Sequence, residues 1–118
     1  MKWEVEFHRD FDPEFDALPG DVQDEIRALG GLLEQFGPRL GRPRVDTLNG
    51  SRHANMKELR FEAAAGVWRF AFDPKRRAVL LAAGDKSGGG EGRFYRRLIA
   101  KADRRFDDHL SRIGKKRL

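Results

Sequence analysis

Apolar and acidic residues alternate one by one in Trp3-Glu4-Val5-Glu6-Phe7, which predicts a half-buried strand with Trp3, Val5 and Phe7 on one face. Asp12-Pro13-Glu14 then reads as a helix start, with a cap, a proline at the first position and an acid in the first turn. That helix must be short, because Pro19-Gly20 follows. From Asp21 to Phe36 the positions Val22, Ile26, Leu29, Leu33 and Phe36 recur at steps of three and four, the stripe of an amphipathic helix. Gly30-Gly31 in its middle predicts close packing or a bend. Gly37-Pro38 ends it, and residues 38–55 read as a polar, basic connection without regular structure, carrying Arg39, Arg42, Arg44, Arg52 and His53. Such a length of loop in a small domain is often functional or mobile.

Three strand-like runs follow, near 56–62, 67–73 and 77–84, separated by short turns that imply an antiparallel meander. Leu59 and Phe61 share one face of the first, and Trp68, Phe70 and Phe72 one face of the second. The third, Ala78 to Ala83, is apolar on both faces and predicts a central strand covered on both sides. The same parity puts Glu58, Arg60 and Glu62 opposite Leu59, and sets Arg60 beside Arg69 on the face away from the main core. Gly84 to Gly92 reads as a flexible loop. From Arg93 to about Arg112 a helix carries Tyr95, Leu98, Ile99, Ala102, Phe106 and Leu110 on its apolar side, with Arg93, Arg96, Arg97, Lys101, Arg104 and Arg105 around the rest. The expected architecture is α+β: an N-terminal strand and helical hairpin, a three-stranded antiparallel meander joining one small sheet, and a C-terminal basic helix. It forms a single domain over 1–118, with 115–118 fraying.

Charge sharpens this picture. Residues 1–50 hold six Lys/Arg against eleven Asp/Glu, a balance of −5, and residues 51–118 hold eighteen against eight, a balance of +10. The second half therefore faces a polyanion or an acidic partner. With no cysteine there is neither a disulfide nor a thiolate metal site. No stretch approaches the roughly 18 continuous apolar residues of a membrane helix. The expectation is a soluble, cytoplasmic protein with no membrane association.

Familiar enzyme signatures are missing. The glycine-rich tract does not end in the Gly-Lys-Ser/Thr of a phosphate-binding loop, and no Gly-x-Ser-x-Gly elbow exists. His8, His53 and His109 fall in three different elements without ligand-like spacing, so neither a metal nor a cofactor is expected. What remains is a cationic set, Lys57, Arg60, Arg69 and Lys86, with Glu58, His53 and Tyr95 as neighbours.

The run Lys57-Glu58-Leu59-Arg60, then Trp68-Arg69-Phe70-Ala71-Phe72, then an apolar strand ending at Lys86 and a basic helix, resembles phage-derived HigB-like toxins of the RelE/ParE superfamily. The preceding helical hairpin and Leu48-Asn49-Gly50 agree in order, so the resemblance covers nearly the whole chain. It departs where relatives often carry two lysines after the last strand, since here Asp85-Lys86 leads into glycines. The resemblance implies a RelE-like fold and a toxin of a type II toxin–antitoxin module that cleaves messenger RNA on the ribosome without a metal. It also implies silencing by a helix-turn-helix antitoxin of the HigA type in a hetero-oligomer. Such cleavage needs an acceptor for the ribose 2′-proton, cations for the phosphorane and a donor for the leaving oxygen. Arg69 is the candidate for phosphate, with Arg60 beside it; Lys57, Lys86, Glu58 and His53 compete as base. Arg52, His53, Arg93, Tyr95, Arg96, Arg97 and Lys101 are the candidates for holding RNA or ribosome. Each also has a packing reading: Arg60 would pair with Glu58 or Glu62, Tyr95 would fill the core, and Lys86 would be solvated without a partner. A gyrase inhibitor of ParE type and a non-catalytic RNA-binding module are the alternative functions.

Overall fold

The computed structural model of the protein describes residues 3–39, 45–64, 66–73, 78–87 and 90–116. Its centre is a five-stranded sheet in the order β1-β5-β4-β3-β2, formed by β1 (Val5–Phe7), β2 (Val45–Thr47), β3 (Lys57–Ala63), β4 (Gly66–Asp73) and β5 (Ala78–Asp85). The last three make the expected antiparallel meander, and β1 joins β5 in parallel. Helices α1 (Phe11–Asp16) and α2 (Gly20–Phe36) cover one face of the sheet, and α3 (Glu91–Lys116) the other.

Parity along the strands divides the core in two. Phe70, Phe72, Ala78 and Leu80 pack against Phe11, Phe15, Ile26 and Leu33 of α1 and α2. Ala71, Val79, Leu81 and Ala82 pack against Leu98, Ala102 and Phe106 of α3. β5 is thus buried on both faces, as its continuous apolar run requires. A bulge between β4 and β5, where Ala71 pairs with Ala82 but Phe72 with Leu80, sends the successive residues Leu81 and Ala82 to the same side.

Several boundaries differ from the expectation. α1 begins at Phe11 rather than after Asp12, because the Phe11 and Asp12 amides donate to the His8 carbonyl and Phe11 anchors in the core. Gly30 and Gly31 lie in an unbroken α2, and a Cβ at either would meet nothing within 4 Å, so close packing is not their role. The connection after α2 contains a short 3₁₀ turn, Gly37–Arg39, and the strand β2, whose Val45 pairs with Leu59 and is buried. Arg42 and Arg44 lie outside the described residues. Phe36 and Leu110, placed on apolar stripes by spacing, are each 45% exposed. α3 runs past Arg112 to Lys116, so residues 115 and 116 are helical; 117 and 118 lie outside the described residues.

Side chains of opposite charge dock α3 to the rest of the molecule. Arg105, expected on the polar face, is only 6% exposed; it donates to the Leu81 carbonyl at 2.8 Å and pairs with Glu14 of α1. That guanidinium bond holds the Glu14 carboxyl below the usual carboxylate range. His8 meets Asp108 at 3.0 Å, and His109 lies 3.8 Å from Glu6.

Candidate functional site

The site lies on the α3 face of the meander. Glu58 and Arg60 on β3 and Arg69 on β4 alternate with core residues and therefore point together toward the N-terminal turns of α3. Arg60 and Arg69 are directly opposite in register, an arrangement of like charges that disfavours the sheet unless something compensates. The next residue in that row, on β5, is Gly84. A Cβ there would come within 2.9 Å of the Phe94 ring, so glycine lets α3 approach the sheet closely. Phe94 and Tyr95 meet edge to face at 5.3 Å, and Tyr95 is thereby carried over Arg69.

The Tyr95 hydroxyl accepts from Arg69 Nε at 3.1 Å and donates to Glu58 Oε1 at 3.3 Å. The same Oε1 accepts from Arg60 Nε at 2.8 Å, and Arg60 also lies 3.8 Å from Asp46 of β2. Arg60 thus has two carboxylate neighbours, and its bond to Glu58 raises its already high pKa. Arg69 donates Nη1 to the Trp68 carbonyl at 2.9 Å, and among the described residues no carboxylate pairs with it. Glu58 is 2% exposed and its second oxygen, Oε2, is buried without a hydrogen-bond partner among the described residues. A buried carboxylate with an idle oxygen is costly, and here it is the element that ties both arginines and the tyrosine together.

Lys86 completes the group. Its ammonium lies 5.9 Å from the centre of the Tyr95 ring and bonds Glu91 Oε1 at 3.0 Å, so it has the partner that the glycine-rich stretch did not reveal. The Glu91 carboxyl is held below its usual range first by that bond and the Lys86 charge, and further by Arg69 and Arg60. Asp85 turns away: its Oδ1 accepts from Ser87 and from the Val67 amide, bonds that keep the carboxyl low and fix the corner where Lys86 leaves the strand.

The structure does not bring every candidate here. Lys57 pairs across the sheet with Phe72, on the α2 side, and its ammonium is 3.4 Å from Thr47. Arg52 and His53 belong to a separate cluster in which the loop after β2 is pinned to α3: Ser51 donates to Asp103 at 2.5 Å, His53 Nε2 lies 2.9 Å from Asp107, and Arg52 pairs with the same Asp107. Arg93, Arg96 and Arg97 are exposed along the start of α3, and Lys101 is half-buried, 3.8 Å from Glu14. Among the described residues no three potential metal ligands come together, and no helix is long and apolar enough to cross a membrane.

The fold matches the Escherichia coli toxin RelE, solved in the free state as a variant with two arginines replaced by alanine. The TM-score is 0.63 at 13% identity, over 89% of this chain and 98% of that one. At sequence level, residues 13–107 match the model of the phage-derived Gp49-like protein family (DUF891). Two Mycobacterium tuberculosis proteins named as candidate toxins are also similar. HigB2 is 48% identical over 101 residues, 82% of this chain and 49% of its own length. HigB3 is 44% identical over 97 residues, 82% of this chain and 84% of its own. The chain belongs to the phage-derived Gp49-like family. It spans about half the length of HigB2 and most of HigB3.

Proposed function

We propose that this chain is the toxin of a type II toxin–antitoxin module and acts as a ribosome-dependent messenger RNA endoribonuclease. The observation that carries the reading is the Arg60–Arg69 pair joined through Tyr95 to buried Glu58, with Arg69 free of any carboxylate partner among the described residues. A guanidinium held in place but not neutralised suits a phosphodiester, whose two free oxygens match its fork.

The geometry supports a reaction that needs only side chains. With the scissile phosphate on Arg69, the ribose 2′-oxygen attacks phosphorus and its proton passes to the Tyr95 oxygen as Tyr95 gives its own to Glu58. The 2′-O–P bond forms, the P–O5′ bond breaks, and Lys86 donates a proton to the departing 5′ oxygen. The products are a 2′,3′-cyclic phosphate and a 5′-hydroxyl. Lys86 is cast as donor because its ammonium, held by Glu91 at 3.0 Å, lies 5.9 Å from the centre of the Tyr95 ring. Arg60, held by Glu58, adds positive charge and keeps Glu58 in place. Arg93, Arg96, Arg97 and Lys101 supply the basic surface for RNA or ribosome, in the cytoplasm where translation runs, while Arg52 and His53 are engaged with Asp107. A helix-turn-helix antitoxin would silence it by occupying that surface.

Induction of the gene with and without Arg69→Ala tests the reading. Growth arrest by the parent, abolished in Arg69→Ala at equal protein level and rescued by a neighbouring antitoxin gene, is the expected result. Equal toxicity of the two would overturn it.

A further inference from the structure

A cavity of about 390 Å³ opens on the other flank of the first turns of α3, and of its lining the proposed reaction uses only Lys86. It exists because β1 pairs only with Ala78 to Leu80 of β5, so the outer edge of β5 from Ala82 to Asp85 carries no paired strand among the described residues. Its apolar lining on the α3 side comes from Phe94 and Leu98. Its rim is cationic, with Lys86 on one side and Arg93, Arg97 and Lys101 on the other; the last three recur every fourth residue and so form one stripe on α3. Among the described residues neither Arg93 nor Arg97 has a carboxylate partner, while Lys101 lies 3.8 Å from Glu14. Asp85 also lines the cavity, but Ser87 and the Val67 amide engage its carboxylate.

An apolar floor beneath two cations without a carboxylate partner, Arg93 and Arg97, is the chemistry of a ligand with a flat apolar part and an attached anion, and the volume is that of a small-molecule site. Lys86 belongs to both places, since its ammonium also lies beside Tyr95. Gly84, which lines the cavity, is also the register partner of Arg69 on the neighbouring strand. We propose that it holds one nucleotide of the RNA strand, adjacent to the phosphate on Arg69, with the base on the Phe94–Leu98 floor and its phosphate on Arg93 and Arg97. This rests on the RNA-cleaving reading and extends it to a subsite that would give the enzyme a preference for the neighbouring base.

The test is a titration of the isotope-labelled full chain, following backbone amide signals. The probes are a 2′-O-methyl RNA trinucleotide, which cannot be cleaved, adenosine 5′-monophosphate, inorganic phosphate and a hexaglutamate peptide. The expected result is that the trinucleotide and the mononucleotide both move Gly84, Lys86 and Phe94, and that Arg97→Glu, at an exposed helix position, weakens trinucleotide binding by about tenfold with a shallower salt dependence. Inorganic phosphate acting as strongly as the mononucleotide would reduce the cavity to an anion patch and overturn the proposal. Tighter binding of hexaglutamate would reassign it to an acidic protein segment. A trinucleotide that moves Arg69 and Tyr95 but not the cavity would refute the subsite and leave the RNA reading standing. One that moves neither would remove both.

Discussion

Replacing Tyr95 by phenylalanine deletes one oxygen and keeps the ring that packs on Phe94. The deleted oxygen accepts from Arg69 at 3.1 Å and donates to Glu58 at 3.3 Å. Each is a bond to a charged group, worth about 1.5–3 kcal/mol when well formed. The longer one and the half-buried setting bring the sum to about 1–3 kcal/mol. For a chain of 118 residues, about 1 kcal/mol corresponds to about 4 °C in melting temperature. Tyr95→Phe should therefore melt about 4–12 °C lower than the parent. In the proposed reaction this oxygen relays the 2′-proton and steadies the guanidinium that binds phosphate, so cleavage by the variant well below its melting point should fall about a hundredfold or more. Urea unfolding with an unchanged slope checks the first effect, and fragment yield from ribosome-bound messenger RNA checks the second. A variant that is less stable but cleaves within about twofold of the parent would show the hydroxyl to be structural only and refute the relay.

Because nothing lies within 4 Å of a Cβ at Gly30 or Gly31, alanine at each should raise unfolding free energy by about 1 kcal/mol, measured in urea; no gain would mean that the glycines serve something outside this chain. Gly84→Ala should drive the Phe94 ring off the strand, costing about 1–3 kcal/mol and depressing cleavage through displaced Tyr95, with crystallography of the variant showing the shift. The Glu14 carboxyl is depressed by its bond to Arg105, so its contribution is present above the ordinary value of 4.5 and is lost as pH falls through the lower folded value. Glu14→Gln should accordingly be less stable than the parent near neutrality and lose less on acidification, as read by urea unfolding across that range.

What could be read in the chain was what repeats locally. Period-two alternation placed the strands, and the tight turn between β3 and β4 set Arg60 against Arg69, because so short a connection fixes register. The same parity sends Lys57 to the α2 face; charge and nearness in the chain, not alternation, group it with the arginines. β2 escaped because Val45-Asp46-Thr47 is too short to show a period, and its place is fixed by pairing with β3. Spacing alone also cannot foretell partners far along the chain. Tyr95 looked like one more apolar position on α3, yet its hydroxyl meets residues 26 and 37 positions away. Arg105 read as a surface cation, but the backbone of β5 and Glu14 of α1 bury it. Lys86 gained its partner only when α3 began at Glu91, two residues earlier than the apolar stripe indicated.

The measurement that bears most directly on the central claim is a map of RNA ends after the purified chain meets ribosomes carrying a defined messenger RNA. The account predicts discrete cuts that leave 2′,3′-cyclic phosphates and 5′-hydroxyls, made by the parent and lost in Arg69→Ala of equal stability. Intact RNA with the parent, or the same cuts from Arg69→Ala, would contradict it.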